Sequence, residues 1–263
     1  MPSHQRPPSA GRVSGWRPEA GPSLEEAALL LATSELVIEG RLPWSSNLTF
    51  LVSLEGTDEG RDDERGLLQA VYKPHRGEQS LWDFPNGLFR REVAAYRLSE
   101  ALGWGLVPPT VVREDAPFGT GSVQLFIDSD YERHYFTLFE DGGREAELLA
   151  FCAFDVVANN ADRKSGHILV AADERLWGID HGLCFHVLNK LRTVIWDFAG
   201  DEIPAHILDD LQLLVARGPT AELSELLSED ELEAMLDRAA RLAASGAFPE
   251  PVGDRPPYPW PLV

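Results

Sequence analysis

The feature that most constrains this chain is an apolar helical run that gives way abruptly to a polar segment. From Glu145 to Ala158 the residues Leu148, Leu149, Phe151, Cys152, Phe154, Val156 and Val157 leave almost no polar face. A helix that is apolar nearly all round has to be buried, so it predicts the central helix of a helical lobe. It runs directly into Asn159-Asn160-Ala161-Asp162-Arg163-Lys164-Ser165-Gly166-His167. Two short β-forming runs follow, 168–171 and 176–179, joined by Ala172-Asp173-Glu174-Arg175. Paired antiparallel, the start of the first run lies beside the end of the second. His167 is then expected next to Asp180, with Asp162 in the loop just before.

The first half of the chain reads differently. Ser23-Leu24-Glu25-Glu26 has the form of a capping box and predicts a short helix from Leu24. Strands are expected over 35–39, 48–54 and 67–73, the last stopped by Pro74, which has no N–H for a ladder. A polar tip, Trp44-Ser45-Ser46-Asn47, joins the first two, and an acidic, Gly-containing loop over 56–65 joins the second and third. Residues 88–102 carry apolar positions at near-helical spacing, with Gly103 as the stop. Two more strands are expected over 107–112 and 122–127. The order β, β, β, α, β, β predicts a twisted antiparallel sheet with one helix on it.

Past a polar loop over 128–143 the chain is expected to be helical, including 204–217 and 229–245. The latter starts at a second capping box, Ser228-Glu229-Asp230-Glu231. The fold class is therefore α+β and bilobal, with an antiparallel-sheet N-lobe and a mainly helical C-lobe. The expected divisions are a disordered leader at 1–22, an N-lobe at 23–127, a C-lobe at 128–247 and a Pro-rich tail at 248–263.

Charge narrows the partners. The formal net charge of the 263 residues is −20, which argues against a nucleic-acid backbone as the main partner. Between Asp201 and Asp237 there are eleven Asp/Glu against one Arg, so this face should be strongly solvated and should repel an anionic membrane. No apolar run approaches the roughly 20 residues that span a bilayer, and neither a secretory signal nor a lipidation signal is seen. No stable membrane association is expected. Cys152 and Cys184 sit in apolar runs and read as reduced core thiols of a cytoplasmic protein. His167, His181 and His186 fit no compact zinc spacing.

The parts together suit phosphoryl transfer. A hairpin tip of small hydroxyl residues, Ser45 and Ser46 beside Asn47, can cover phosphates with backbone N–H groups. Lys73 can hold the α/β-phosphates, and Glu92 in the following helix can pair with it. Asp162 can accept a hydroxyl proton, and Asp180 can ligate Mg²⁺. They stand in the order in which a kinase presents them.

These motifs resemble the phosphatidylinositol 3-/4-kinase-like superfamily, in its type II phosphatidylinositol 4-kinase and HipA-like forms. The likeness lies in Asn160-Ala161-Asp162-Arg163 through Ile168-Leu169, then Gly178-Ile179-Asp180-His181-Gly182-Leu183. Ala70-Val71-Tyr72-Lys73-Pro74 resembles that group's lysine strand, and Arg91-Glu92-Val93-Ala94-Ala95-Tyr96 its first-lobe helix. Pro43 to Phe50 resembles its phosphate-covering loop. The whole chain is also similar to an actinobacterial family of kinase-like chains. The resemblance implies that Asp162 is the catalytic acid, Asp180 the metal ligand and Lys73 the phosphate-binding lysine. It also implies a second phosphate-facing lysine at Lys164. Gln124, Phe126 and Ile127 would belong to the interlobe hinge flanking adenine. ATP with Mg²⁺ or Mn²⁺ is the implied cofactor set, and the acceptor is a hydroxyl of a protein Ser/Thr or a small molecule more readily than of a lipid.

Two departures stand out. His167 occupies the position where the group has an Asn that ligates a second metal. An imidazole is a poor ligand for Mg²⁺, so His167 could ligate Mn²⁺, donate to phosphate, or mark lost turnover. Asn47 stands where Gly would let the loop approach phosphate most closely. Two expectations follow: an active kinase, or a pseudokinase that binds nucleotide as a regulatory or scaffolding module.

Overall fold

The computed structural model describes residues 21–43, 47–55, 68–251 and 257–263. The expected tip residues Ser45 and Ser46, the loop over 56–65 and nearly all of the expected leader lie outside the described residues.

The chain opens with α1 (Leu24–Thr33), whose capping box forms as its sequence predicts. The Ser23 hydroxyl accepts from Glu26 N–H and the Glu26 carboxylate accepts from Ser23 N–H. Then come β1 (Glu35–Arg41), β2 (Phe50–Glu55), β3 (Gln69–Pro74), α2 (Leu88–Leu102), β4 (Thr110–Arg113) and β5 (Gly121–Leu125). The strands form one antiparallel sheet in the order β1-β2-β3-β5-β4, with a register shift between Ile38 and Gly40. β4 begins only at Thr110, because Pro108 and Pro109 have no N–H to contribute.

Alternation sorts the sheet into two unlike faces. Val52, Leu54, Ala70, Tyr72, Val111, Val123 and Leu125 share a buried apolar cluster with Ala27 and Leu31 of α1. The other face pairs Val71 with Gln124 and Lys73 with Ser122, and Thr110 with Gln124. It therefore carries the sheet's polar side chains, and Lys73 reaches from it to α2.

The second half holds α3 (Tyr135–Asp141), α4 (Glu145–Ala158), β6 (Ile168–Val170), β7 (Leu176–Gly178), α5 (Ala205–Arg217), α6 (Ala221–Leu226) and α7 (Glu229–Ser245). α4 is central as expected: Leu148, Phe151, Cys152, Ala153, Phe154, Val157 and Ala158 all belong to the larger core. Both thiols are free and buried. Two short helices were not expected. α3 lies inside the predicted polar loop, where Tyr135 and Leu138 are buried, and α6 is capped by Thr220.

α2 divides its loyalties. Ala94, Ala95, Tyr96, Leu98 and Leu102 belong to the larger core, where α2 meets α5 and α6, while the helix also lies on β4 and β5 and Glu92 reaches Lys73 of β3. Arg91 fixes this arrangement through a buried ion pair to Glu231 of α7 and a 3.0 Å donation to Cys184 O. The start of α2 is capped from a distance. The Glu78 carboxylate accepts from Gly87 N–H at 2.9 Å and from Phe89 N–H at 2.8 Å, two donors that a helix start leaves unpaired.

Candidate active site

Three elements bring the central charges together. β3 supplies Lys73, α2 supplies Glu92, and the segment after β7 supplies Asp180. Lys73 Nζ is bonded to Glu92 Oε1 and lies 2.8 Å from Asp180 Oδ1. Burial alone would lower the Lys73 pKa, but Asp180 and Glu92 outweigh it and hold the ammonium above its ordinary value. For Asp180 the dominant influence is Lys73, which holds the carboxylate well below the usual range. Burial pushes Glu92 the other way, against the pull of Lys73. The second Glu92 oxygen accepts from His181 N–H at 2.9 Å, tying α2 to the Asp180 segment.

Asp180 is held in a left-handed backbone conformation, φ 61°, which Asp tolerates better than most residues. Its side chain is half exposed, whereas that of Glu92 is buried. His167 Nε2 is 3.4 Å from Asp180 Oδ2, so the expected neighbours do meet across the β6–β7 hairpin. Burial lowers His167 to a pKa of about 4, leaving a neutral ring at pH 7. Its Nδ1 accepts a 3.4 Å bond from Lys164 N–H, so the ring proton sits on Nε2 and faces Asp180.

Asp162 lies in the loop between α4 and β6. Its backbone N–H donates to Asn160 Oδ1 at 3.0 Å, and its carboxylate pairs with Lys164 Nζ at 3.0 Å. Burial raises the Asp162 pKa, with Lys164 opposing, which moves the group toward proton-accepting strength. The loop's shape rests on a residue the sequence reading left without a role. Arg163 is fully buried, pairs with the fully buried Asp155 of α4 at 2.9 Å, and donates to Ile179 O at 3.1 Å. It also stands 2.8 Å from His181 Nε2. One guanidinium thus joins α4, the Asp162 loop and the Asp180 segment. A signal was available: Asp155 is the lone carboxylate in an otherwise apolar stretch, and such a charge needs a partner.

The remaining candidates fall at the edges of this group. Gln124 lies on the same sheet face as Lys73 and is buried, donating to Thr110 Oγ1 at 2.8 Å. Phe126 is half-buried, with its N–H on Gln69 O, and Ile127 is buried in the sheet's apolar cluster. Asn47 accepts from Gln79 N–H at 2.8 Å, so it anchors the hairpin end to the segment after β3.

The Mycobacterium tuberculosis protein Rv2133c is 40% identical to this chain over 271 residues, spanning 88% of this chain and 94% of that protein. The chain belongs to the Rv2133c family. No family model matches it. Among solved structures, the Rv2133c-family fold is similar to the Golgi casein kinase with Mn/ADP bound, at TM-score 0.53 and 15% identity. That match covers 84% of this chain and 74% of the kinase. It is also similar to hydra Fam20 with sugar, at TM-score 0.50 and 14% identity, covering 84% and 87%. At these identities the likeness is one of fold: the Rv2133c-family chain has a bilobal protein-kinase-like fold.

Proposed function

We propose that this Rv2133c-family protein is an ATP-dependent phosphotransferase acting on a hydroxyl acceptor. The observation that carries the reading is the meeting of Lys73, Glu92 and Asp180 from three separate elements, with Asp162 on the adjoining loop. In the reaction, the acceptor oxygen attacks the γ-phosphorus of ATP, the bond to the β,γ-bridging oxygen breaks, and ADP leaves. The hydroxyl proton passes to Asp162, whose raised pKa suits that task. Lys73, held cationic by two carboxylates, offsets charge on the ATP phosphates, and Lys164 does the same beside Asp162. Gln124 and Phe126 would flank the adenine and Asn47 would lie over the phosphates, whereas Ile127 backs them from the sheet's other face, in the apolar cluster with α1.

The donor set fits a divalent cation that arrives with nucleotide. Asp180 offers a half-exposed, deprotonated carboxylate and His167 a neutral imidazole. Among the described residues no third His, Cys, Asp or Glu completes a metal site, so phosphate and water oxygens would fill the rest of the shell. His167 can ligate once its ring proton moves to Nδ1, which gives up two long contacts, from Lys164 N–H and to Asp180 Oδ2. The mixed N/O set favours Mn²⁺ over Mg²⁺. Such an ion supplies charge neutralisation between the phosphates.

Within kinase-like folds we place the chain nearest the phosphatidylinositol 3-/4-kinase and HipA-like group, on its Asp162 and Asp180 motifs. The lobes would divide near residue 127. We also propose a cytoplasmic location, consistent with two free buried thiols. No helix among the described residues is long and apolar enough to cross a membrane.

A second reading, nucleotide binding without turnover, is favoured by one observation: Lys73 and His167 occupy both oxygens of Asp180. Incubation with γ-labelled ATP and Mn²⁺ or Mg²⁺ separates the two. The phosphotransferase reading expects label transfer or ATP hydrolysis that falls about 10²- to 10⁴-fold in Asp162→Asn. Thermal stabilisation by ATP with no transfer and no hydrolysis overturns it in favour of the second.

A further inference from the structure

A cavity of about 1120 Å³ opens beside Asp162 and runs to the C-terminal segment. Its lining is at odds with a chain of net charge −20. Lys190, Arg192, Arg238 and Arg241 all face it, against Asp83, Asp162 and Glu250. Lys190 is satisfied by Asp83 at 2.6 Å, but two of the arginines are not. Arg238 gives Nε to Val157 O and Nη1 to His186 O, while its buried Nη2 has no partner among the described residues. Burial lowers its pKa to about 10. Arg192 is exposed, forms no ion pair among the described residues, and acts electrostatically on both Asp162 and Asp83. Arg192 and Arg238 line the same cavity, and guanidinium groups without a carboxylate partner are a place for an anion.

The same cavity is lined by large exposed rings. Trp82 is 94% exposed and Trp260 is 87% exposed, values at which an indole has almost no packing role of its own. Flat apolar faces of this kind pack against the C–H face of a sugar ring while leaving its hydroxyls free. The C-terminal segment that carries Trp260 closes one side of the cavity. It is held there by Ser165 N–H on Leu262 O at 2.8 Å and by Trp196 Nε1–H on Pro257 O at 3.0 Å. The space is just above the range of about 300–1,000 Å³ typical of small-ligand sites, large enough for a whole sugar derivative.

Resting on the phosphotransferase reading, we propose that the acceptor is an anionic sugar, a carbohydrate ring bearing a phosphate or a carboxylate. One ring hydroxyl stands at Asp162, the anion lies among Arg192 and Arg238, and the ring packs on Trp82 or Trp260. The hydroxyl oxygen becomes the bridging oxygen of the new phosphate ester, its proton goes to Asp162, and ADP is the leaving group.

Calorimetric titration of the full chain tests this with four probes: glucose 6-phosphate, glucuronate, glucose and inorganic phosphate. At least one of the first two is expected to bind about tenfold or more tightly than both of the last two, and which one does so tells phosphate from carboxylate. Arg192→Gln and Trp260→Ala change exposed side chains and should each weaken that binding about tenfold. Arg238→Gln should do the same, with thermal melting used to check that it folds. The Lys73→Ala protein should lose stabilisation by ATP and keep the sugar titration, so failure of the nucleotide reading and failure of this one are read separately. Four results overturn the proposal: neither anionic sugar binds; inorganic phosphate or glucose binds as well; Arg192→Gln and Trp260→Ala leave binding unchanged; or labelled ATP modifies an acidic Ser-containing peptide and neither sugar.

Discussion

Asp180 combines a charge that the proposed chemistry needs with a backbone geometry that few residues accept. At φ 61°, an Ala would pay the left-handed penalty of about 1 kcal/mol, whereas Asn tolerates the conformation. Asp180→Asn should therefore fold normally and lose metal-dependent stabilisation by ATP. Asp180→Ala should lose both that response and some stability, and paired melting curves distinguish the two. A second residue-scale prediction concerns pH. His167 stays neutral in the folded chain down to about pH 4, while in the unfolded chain it protonates near 6.5. His181 is depressed in the same sense, first by burial and then by Arg163. Since the unfolded state binds the extra protons, stability is fully present above pH 6.5 and is lost as pH falls toward 4. From His167 alone the loss between pH 7.5 and 5 should be about 2 kcal/mol, and urea midpoints of wild type and His167→Asn compared at both pH values check it. That Lys73, Glu92 and Asp180 would meet was legible from their order along the chain, and the structure brings the three together. Arg163 was not legible as a hub, since its partners Asp155, Ile179 and His181 meet it only once three segments have packed. Arg163→Met should cost about 3–5 kcal/mol by stranding the buried Asp155 charge, again read from urea unfolding.

Among the elements, those with a strong period or a cap could be read before folding and those without could not. α4 announced itself by its all-apolar surface, and α1 and α7 by capping boxes that form as expected. α3 was hidden because its seven residues carry no Ser, Asp or Asn cap and sit in a polar surround. The position of α2 was only half visible. Its periodicity marked a helix, but nothing local says that it lies between the sheet strands β4 and β5 on one side and α5 and α6 on the other. What fixes that position is long-range: Arg91 meets Glu231, the same residue that closes the capping box of α7. Glu231→Ala removes the ion pair and the reciprocal cap together. It should therefore cost about 3–5 kcal/mol, more than the roughly 1 kcal/mol expected for Ser228→Ala, which removes the cap alone. Equilibrium unfolding of the two variants side by side measures the difference. If they were equally destabilised, α2 would not be held by this pair.

At the scale of the whole molecule, two apolar clusters meet along a polar seam. One lies under the sheet with α1 and the other surrounds α4, and the seam between them holds Lys73, Glu92, Asp180 and Asp162. The bilobal pattern was legible because it follows from element order and hydrophobic period. The part played by the C-terminal segment was not, since a Pro-rich stretch shows no period, and its role consists of backbone bonds to residues far away in sequence. Pro257 O accepts from Thr193 N–H at 3.0 Å and from Trp196 Nε1–H at 3.0 Å, and Leu262 O accepts from Ser165 N–H at 2.8 Å. These three bonds brace the Asp162 loop and the strand of chain that crosses behind it, and none touches Lys73, Glu92 or Asp180. A chain ending at Pro251 should lose about 2–4 kcal/mol of stability, near 1 kcal/mol for each net hydrogen bond together with the apolar contact of Leu262. Its consequences for function should be one-sided. Stabilisation by ATP, which depends on the Lys73 and Asp180 group, should persist, while phosphoryl transfer should fall because Asp162 and one wall of the adjoining cavity lose their support. Thermal shifts with ATP and label transfer, measured on the same truncated preparation, separate the two effects. A fall in ATP affinity in step with transfer would mean that the segment braces the whole site rather than its acceptor side.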